Sequence, residues 1–283
     1  MGNPIIEFKN YSYRYPNTDK IVLKNINLTI EEGDFVGIIG CNKAGKSTLC
    51  KSMVGILPFV LGGDWDGEVI VDGKNFNETK GEGATSVIGI VFQDAESQFT
   101  QETVEDEIAF AMSNFGIERS EMRKRVEYAA KACGLYEMLD RSPFRLSGGQ
   151  QQRLAIAGIL ALQPRVLILD ESTSQLDPIG RDEVFNLVLQ LHAKGSTVIM
   201  VDHNIEKIAD AANKVLVLHE GEIVKYGEKH EVYADKELLN AHNVRVPQVT
   251  DAAIALRSQI TGDTLPITLA EAETAFAGMK KGE

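Results

Sequence analysis

The chain is 283 residues long, 43% hydrophobic and 25% charged, a balance that excludes a disordered polymer and suits one large domain, with or without an appendage. Its formal net charge of −12 excludes a broad electrostatic grip on nucleic acid or anionic lipid, while leaving room for one local basic site. Cys41, Cys50 and Cys133 form neither a CxxC pair nor a metal-like cluster; reduced thiols are expected, with Cys50 and Cys133 as small buried fillers.

The opening "MGNPIIEFKN" has no basic segment followed by an apolar one, and no run approaches the roughly 18 apolar residues of a membrane span. If the protein works at a membrane, another polypeptide must hold it there. "IIEFKN", "NINLTI" and "EVIVDG" alternate, with Ile26, Leu28 and Ile30 pointing inward, and predict a β-rich lobe. "DFVGIIG" is a short apolar run ending in glycine, and a helix is expected from Lys46 to about Ile56. From about Thr103 to Leu139 the period is helical; in "SEMRKRVEYAAKACG" Ser120 can cap and Gly134 can stop the helix. The buried strands "RVLILD" and "STVIMVD" flank helical "IGRDEVFNLVLQLHAKG", the alternation of a parallel sheet with crossover helices. "KVLVLHEGEIVKYG" reads as a hairpin turning at Glu220 and Gly221. Beyond Val244, "RVPQVTDAAIALRSQITG" and "LPITLAEAETAFAG" read as short helices punctuated by Pro247 and Pro266, an appendage rather than a second core.

Chemistry concentrates at strand ends. "GCNKAGKST", residues 40–48, fits a phosphate loop, whose backbone N–H groups converge on phosphates at a helix N-terminus. Lys46 is placed to reach the β- and γ-phosphates and Ser47 to ligate Mg²⁺. Asp170, ending an apolar strand, offers a Mg²⁺ carboxylate, and Glu171 beside it can polarise a water. Alone, an Asp-Glu pair at a strand end would read as a cap; after a phosphate loop it reads as chemistry. "LSGGQQQR" opens a helix with a serine and two glycines, a second anion-binding end, although an isolated Ser-Gly-Gly would be an ordinary turn. Gln93 and His203 follow two further strands and project to the same edge, where His203 could hydrogen-bond a γ-phosphate.

Together these residues resemble the ATP-binding-cassette (ABC) ATPases over residues 5–229. The resemblance comprises the Walker A loop (Gly40, Asn42, Lys43, Ala44, Gly45, Lys46, Ser47 and Thr48), the Q-loop Gln93, the signature (Leu146, Ser147, Gly148, Gly149 and Gln150), Walker B ending at Asp170, then Glu171, the D-loop "SQLD" with Asp177, and the switch His203. It implies an α/β fold: a phosphate-loop parallel-sheet core, an antiparallel β lobe and a helical signature lobe at about residues 100–163. The ATPase domain would span residues 1–240 and a small helical appendage residues 241–283. It further implies Glu171, His203 and Gln93 as catalytic groups, Ser47, Gln93 and Asp170 around Mg²⁺, and Tyr15 of "YSYRYP" as the aromatic that stacks on adenine. Tyr11 and Tyr13 share its alternation and could be plain strand residues. Two cassettes would sandwich two ATP molecules, each between the Walker residues of one and the signature of the other. The chain departs from the pattern at Lys43, usually glycine, at Cys41, and at Ser172, where "DEPTS" would have proline.

A narrower resemblance, to the ATPases of energy-coupling-factor (ECF) importers of vitamins and other micronutrients, rests on "VFQDAESQFTQETVEDEIAFAMSNFGI", "DESTSQLDPIG" and "VRVPQV". It implies an ATPase at the cytoplasmic face of the cell membrane, paired with a second cassette subunit, alike or related, and held by an integral coupling subunit and a substrate-binding membrane subunit, with no nucleic acid partner. Phe99, Ile108 and Phe110, among acidic residues after Gln93, suggest a groove for a basic helix of the coupling subunit. The alternatives are an ATPase of another ABC transporter class, a non-transport cassette of DNA repair or translation, and a regulatory cassette whose site Lys43 disables.

Overall fold

The computed structural model describes residues 2–257 and 264–277. Two long strands, β1 (Pro4–Arg14) and β2 (Ile21–Glu31), precede the short β3 (Phe35–Ile39) and α1 (Lys46–Met53). α1 stops short of Ile56 because Val54 and Gly55, the latter at φ 75°, turn the chain away. There follow β4 (Asp64–Val71), β5 (Lys74–Asn75), α2 (Phe76–Thr79), α3 (Ala84–Val87) and β6 (Ile88–Val91). The helical region contains α4 (Val104–Asn114), α5 (Arg119–Ala132) and α6 (Gly148–Ala161). Alternation then resumes with β7 (Val166–Asp170), α7 (Pro178–Ala193), β8 (Thr197–Val201) and α8 (Ile205–Ala211). The hairpin β9 (Lys214–His219) and β10 (Glu222–Glu228) leads to α9 (Lys229–Ala234), α10 (Lys236–Ala241), α11 (Gln248–Ala255) and α12 (Leu269–Phe276). The expected helical tail at residues 258–262 lies outside the described residues, as do residues 278–283 of the appendage.

The strands form a four-stranded antiparallel sheet ordered β2-β1-β4-β5 and a six-stranded sheet ordered β10-β9-β3-β8-β7-β6, parallel except for its edge strand β10. Successive residues of the parallel strands face opposite sides, and both sides are covered. Leu167 and Leu169 of β7 join a core shared with α4–α7, while Val166 and Ile168 join the one between the two sheets and α1. That double burial is why β3, β7 and β8 read as unbroken apolar runs rather than alternating ones. Val244, Val246 and Ile267 of the appendage enter the first core.

One helix start differs from expectation. α5 is capped by Glu118, whose carboxylate accepts from the N–H groups of Ser120 at 2.7 Å and Glu121 at 3.3 Å. Ser120 is already inside the helix, where its hydroxyl bonds the same carboxylate. Gly134, at φ 65°, stops this helix as expected.

Candidate functional site

The C-terminal ends of the parallel strands deliver the functional side chains to one edge, as open α/β sheets require. β3 runs into the phosphate loop, β6 into Gln93, β7 into Asp170 and Glu171, and β8 into His203. A cavity of about 1000 Å³ opens there, lined by Asn42, Lys43, Ala44, Gly45, Lys46, Ser47 and Thr48 and, across from them, by Gln93, Glu171, Ser174 and His203. Its rim also carries Lys20 and Lys24 against Glu220. In an acidic protein this is a local concentration of ammonium groups suited to a polyanion.

The loop's geometry is dictated by close packing. Gly40 has φ 151°, and a Cβ there would stand 2.1 Å from the Leu218 carbonyl oxygen. Gly40 contributes its backbone rather than a wall of the cavity: its carbonyl accepts from Lys46 Nζ at 3.0 Å, and that of Cys41 at 3.1 Å. The hairpin turn supports the loop from behind, since Gly221 N–H donates to the Ala44 carbonyl at 2.9 Å. Lys43 sits at φ 66°, a left-handed conformation that costs a side-chain-bearing residue about 1–2 kcal/mol. Its side chain is exposed, on the cavity wall.

Lys46 is almost fully buried and lies 3.6 Å from Glu171 Oε1, which is itself 3.1 Å from His203 Nε2. Glu171 too has a left-handed backbone, φ 53°, a strain of the kind that clusters at working sites. Ser47 Oγ donates to Asp170 Oδ1 at 2.9 Å. Burial is the main reason the Asp170 carboxyl titrates above its ordinary range; the Ser47 hydrogen bond opposes that shift and the neighbouring Glu171 charge adds to it. The Ser47–Asp170 pair is a hard-oxygen donor set of the composition Mg²⁺ takes when substrate phosphates and water complete its shell. Gln93 Nε2 donates to Ser174 Oγ at 3.2 Å, and Ser174 Oγ donates to the Glu171 carbonyl at 2.8 Å. This chain ties Gln93 to the Walker B turn through Ser174 by its amide nitrogen, the atom of the side chain that a cation does not take.

Other expected residues fall outside the cavity. The Tyr15 ring packs edge-on to Tyr13, with centroids 5.0 Å apart, and its hydroxyl shares a hydrogen bond of 3.2 Å with Thr48 Oγ1. That anchor seats the ring against the strand-lobe core, and Tyr15 is not among the cavity's lining residues. Ile21, 47% exposed, and Val22 add apolar surface to the cavity lining. Tyr11 and Tyr13 are buried strand residues. Ser147 caps α6 in a reciprocal box: Gln150 N–H donates to its Oγ and Ser147 N–H to Gln150 Oε1. Ser147 and Gly148 are exposed, Gly149 and Gln150 are half-buried, and Leu146 is buried as the anchor; none of the five lines the cavity. Asp177 caps α7, accepting from Gly180 N–H at 2.7 Å. Ser172, at the proline position, is buried with its hydroxyl unpartnered among the described residues. The expected docking groove is smaller than its sequence suggests: Ile108 and Phe99 belong to the core and only Phe110 is exposed.

Sequence reasoning missed three supports. Ser174 links Gln93 to Walker B, the Gly221 turn props the loop, and Asp202 holds the His203 turn. Asp202 accepts from Asn204 N–H at 2.7 Å and from the Thr173 hydroxyl. "VDHN" carried a signal for the last, an aspartate positioned for a local Asx turn.

The family described as ABC transporter matches residues 23–174 of the chain. A putative ABC transporter ATP-binding protein of Pyrococcus abyssi is 41% identical over 244 residues, 86% of this chain and 87% of its own. The energy-coupling factor transporter ATP-binding protein EcfA1 of Lactiplantibacillus plantarum is 39% identical over 262 residues, 92% of this chain and 91% of its own. Among solved structures, cbiO1 of Clostridium perfringens, part of the ABC transporter complex cbiONQ, superposes with a TM-score of 0.73 at 34% identity over 85% of this chain and 95% of that one. A dimeric ATP-binding cassette in a post-hydrolysis state, bound to ADP and Pi, gives a TM-score of 0.68 at 29% identity, covering 80% of this chain and 99% of that one.

Proposed function

The chain belongs to the ATP-binding-cassette ATPases of the ABC transporter family, and we propose that it is the ATP-hydrolysing subunit of an ECF-type importer of a vitamin or other micronutrient. The observation that carries this reading is the chain of contacts Lys46–Glu171–His203 beside Ser47–Asp170 in one cavity, in a protein aligned with an ECF ATP-binding subunit over 92% of its length. No helix of the described residues is long and apolar enough to cross a membrane. The proposed setting is therefore the cytoplasmic face of the membrane, with a coupling subunit and a substrate-binding subunit supplying the spans.

In this reading the loop N–H groups and the Lys46 ammonium bind the phosphates, and Lys46 trades its loop carbonyl contacts for phosphate oxygens. Ser47 and Asp170, already paired, are the residues that would hold Mg²⁺, which would supply neutralisation of phosphate charge there. Glu171 accepts the proton of the attacking water at Oε1, oriented by His203, while Gln93 reports the state of the site through Ser174. Ile21 and Val22 give the adenine ring an apolar surface. Leu146, Ser147, Gly148, Gly149 and Gln150 serve the ATP of a second cassette subunit; that none of them lines this chain's own cavity supports the assignment.

Mixing tests it. A Lys46→Ala chain lacks the phosphate-binding ammonium and a Ser147→Arg chain lacks a usable signature, yet together they rebuild one intact composite site in a homodimer. Each alone should be inactive, Ser147→Arg should still bind ATP as a monomer, and the mixture should recover phosphate release. If Ser147→Arg abolished ATP binding by the monomer, the shared-site reading would be wrong; failed recovery with binding intact would indicate an obligate heterodimer.

A further inference from the structure

The chain returns to the phosphate loop after leaving the hairpin. The Cys41 thiol, on the second residue of the loop, lies 3.6 Å from the His242 carbonyl oxygen and 3.5 Å from that of Asn243. The turn is built to stay there. His242 stacks edge-on against His219, with centroids 4.9 Å apart, and its Nδ1 bonds the Leu238 carbonyl at 2.8 Å. Leu239 and Val244 bury themselves on either side of it. Asn243 adopts φ 57°, a left-handed conformation that asparagine tolerates better than most residues. Its exposed side chain lines the same cavity as Lys43 and Ser47. His219 lines that cavity too, and its Nδ1 is buried with no hydrogen-bond partner among the described residues. Both residues lie outside the segment matched by the family pattern.

We propose that the His242–Asn243 turn is part of the nucleotide site: the Asn243 amide contacts the bound nucleoside triphosphate, and the Cys41 thiol, donating to the carbonyls of the turn, fastens it to the phosphate loop. This rests on the ATP-site reading above. Nucleotide binding and seating of the C-terminal segment are then one linked equilibrium, so each strengthens the other by the same factor. A triphosphate that rigidifies the loop presents Cys41 in a fixed position to the turn, and a seated turn completes the wall that holds the triphosphate.

The test uses the full chain, hydrogen–deuterium exchange over residues 236–246 and equilibrium binding of a nonhydrolysable ATP analogue. In the natural chain the analogue should slow exchange in that segment about fivefold, within the usual range of coupling between sites. Asn243→Gly keeps the left-handed backbone and removes only the amide; it should bind the analogue about three- to tenfold more weakly, the loss of one hydrogen bond, and lose the exchange response. Asn243→Asp is nearly isosteric and places a carboxylate on the wall. Its affinity should fall more for the triphosphate than for AMP, a charge dependence that a purely structural role for Asn243 would not produce. Wild-type affinity in both variants, or exchange in residues 236–246 indifferent to the analogue in the natural chain that binds it, would overturn the proposal alone. A natural chain that bound no analogue would overturn the ATP-site reading and this proposal with it.

Discussion

Replacing Glu171 by glutamine removes one proton acceptor and one negative charge while keeping the shape of the side chain. The carboxylate is in contact with two groups, His203 Nε2 at 3.1 Å and Lys46 Nζ at 3.6 Å. An amide oxygen can still accept from His203, so the switch stays in place, and Lys46 keeps its two loop carbonyls. The fold should therefore survive. An amide cannot take a proton from water, however, and loss of a positioned general base costs about 10²–10⁴ in rate, or roughly 3–5 kcal/mol of barrier at about 1.36 kcal/mol per decade. Binding should move the other way. With its anionic neighbour gone, Lys46 loses a competitor for the γ-phosphate, and a like charge facing the phosphates disappears. ATP affinity should be equal or higher, by up to about tenfold, or about 1.4 kcal/mol. Phosphate release under saturating Mg-ATP, equilibrium ATP binding and light scattering of the ATP-bound species measure the three quantities, and the variant should accumulate as an ATP-bound dimer. Turnover within a few-fold of the natural chain would show that Glu171 is not the base.

Three further outcomes follow from the geometry. Asp170→Asn retains the Ser47 hydrogen bond and removes a buried charge; because the folded-state pKa is raised, mainly by burial, the carboxyl group's favourable contribution is fully present only below the ordinary Asp range and is lost as pH rises through the folded pKa. The nucleotide-free variant should thus melt higher than the natural chain at about pH 7, with the gap closing in acid, while Mg-dependent hydrolysis is lost; a lower melting temperature at neutral pH would contradict the burial argument. Lys43→Gly relieves about 1–2 kcal/mol of left-handed strain but makes the unfolded chain more flexible by about 0.5–1 kcal/mol, so thermal stability should change little. ATP affinity measured by calorimetry should change less than about tenfold; a natural chain unable to bind Mg-ATP beside a binding Lys43→Gly would make this a disabled, regulatory cassette. Gly40→Ala would bring a Cβ within 2.1 Å of the Leu218 carbonyl oxygen, so the loop must shift and ATP affinity should fall more than about tenfold, which equilibrium binding at a temperature where the variant is folded would read.

The features legible in the sequence were those set by near neighbours along the chain. Alternation in "NINLTI", the apolar runs "RVLILD" and "STVIMVD", and the hairpin signal of Glu220 and Gly221 in "HEGE" follow from the periodicity of buried positions and from turn chemistry, which act within a few residues. The phosphate loop is also local, and at Lys43, where the pattern usually has glycine, the backbone is left-handed at φ 66°. Tertiary structure decided what long-range packing decides. The Tyr15 hydroxyl is held by Thr48, 33 residues away; Ile108 went to the core because α4 packs on α6, and Phe99, ahead of that helix, joins the same core. Gln93 reaches Glu171 through Ser174, 81 residues on, and Asn243 meets Cys41 across 202 residues. No window of sequence contains both partners of such contacts, and the entropy of closing loops of that length is overcome only by the burial of many side chains at once.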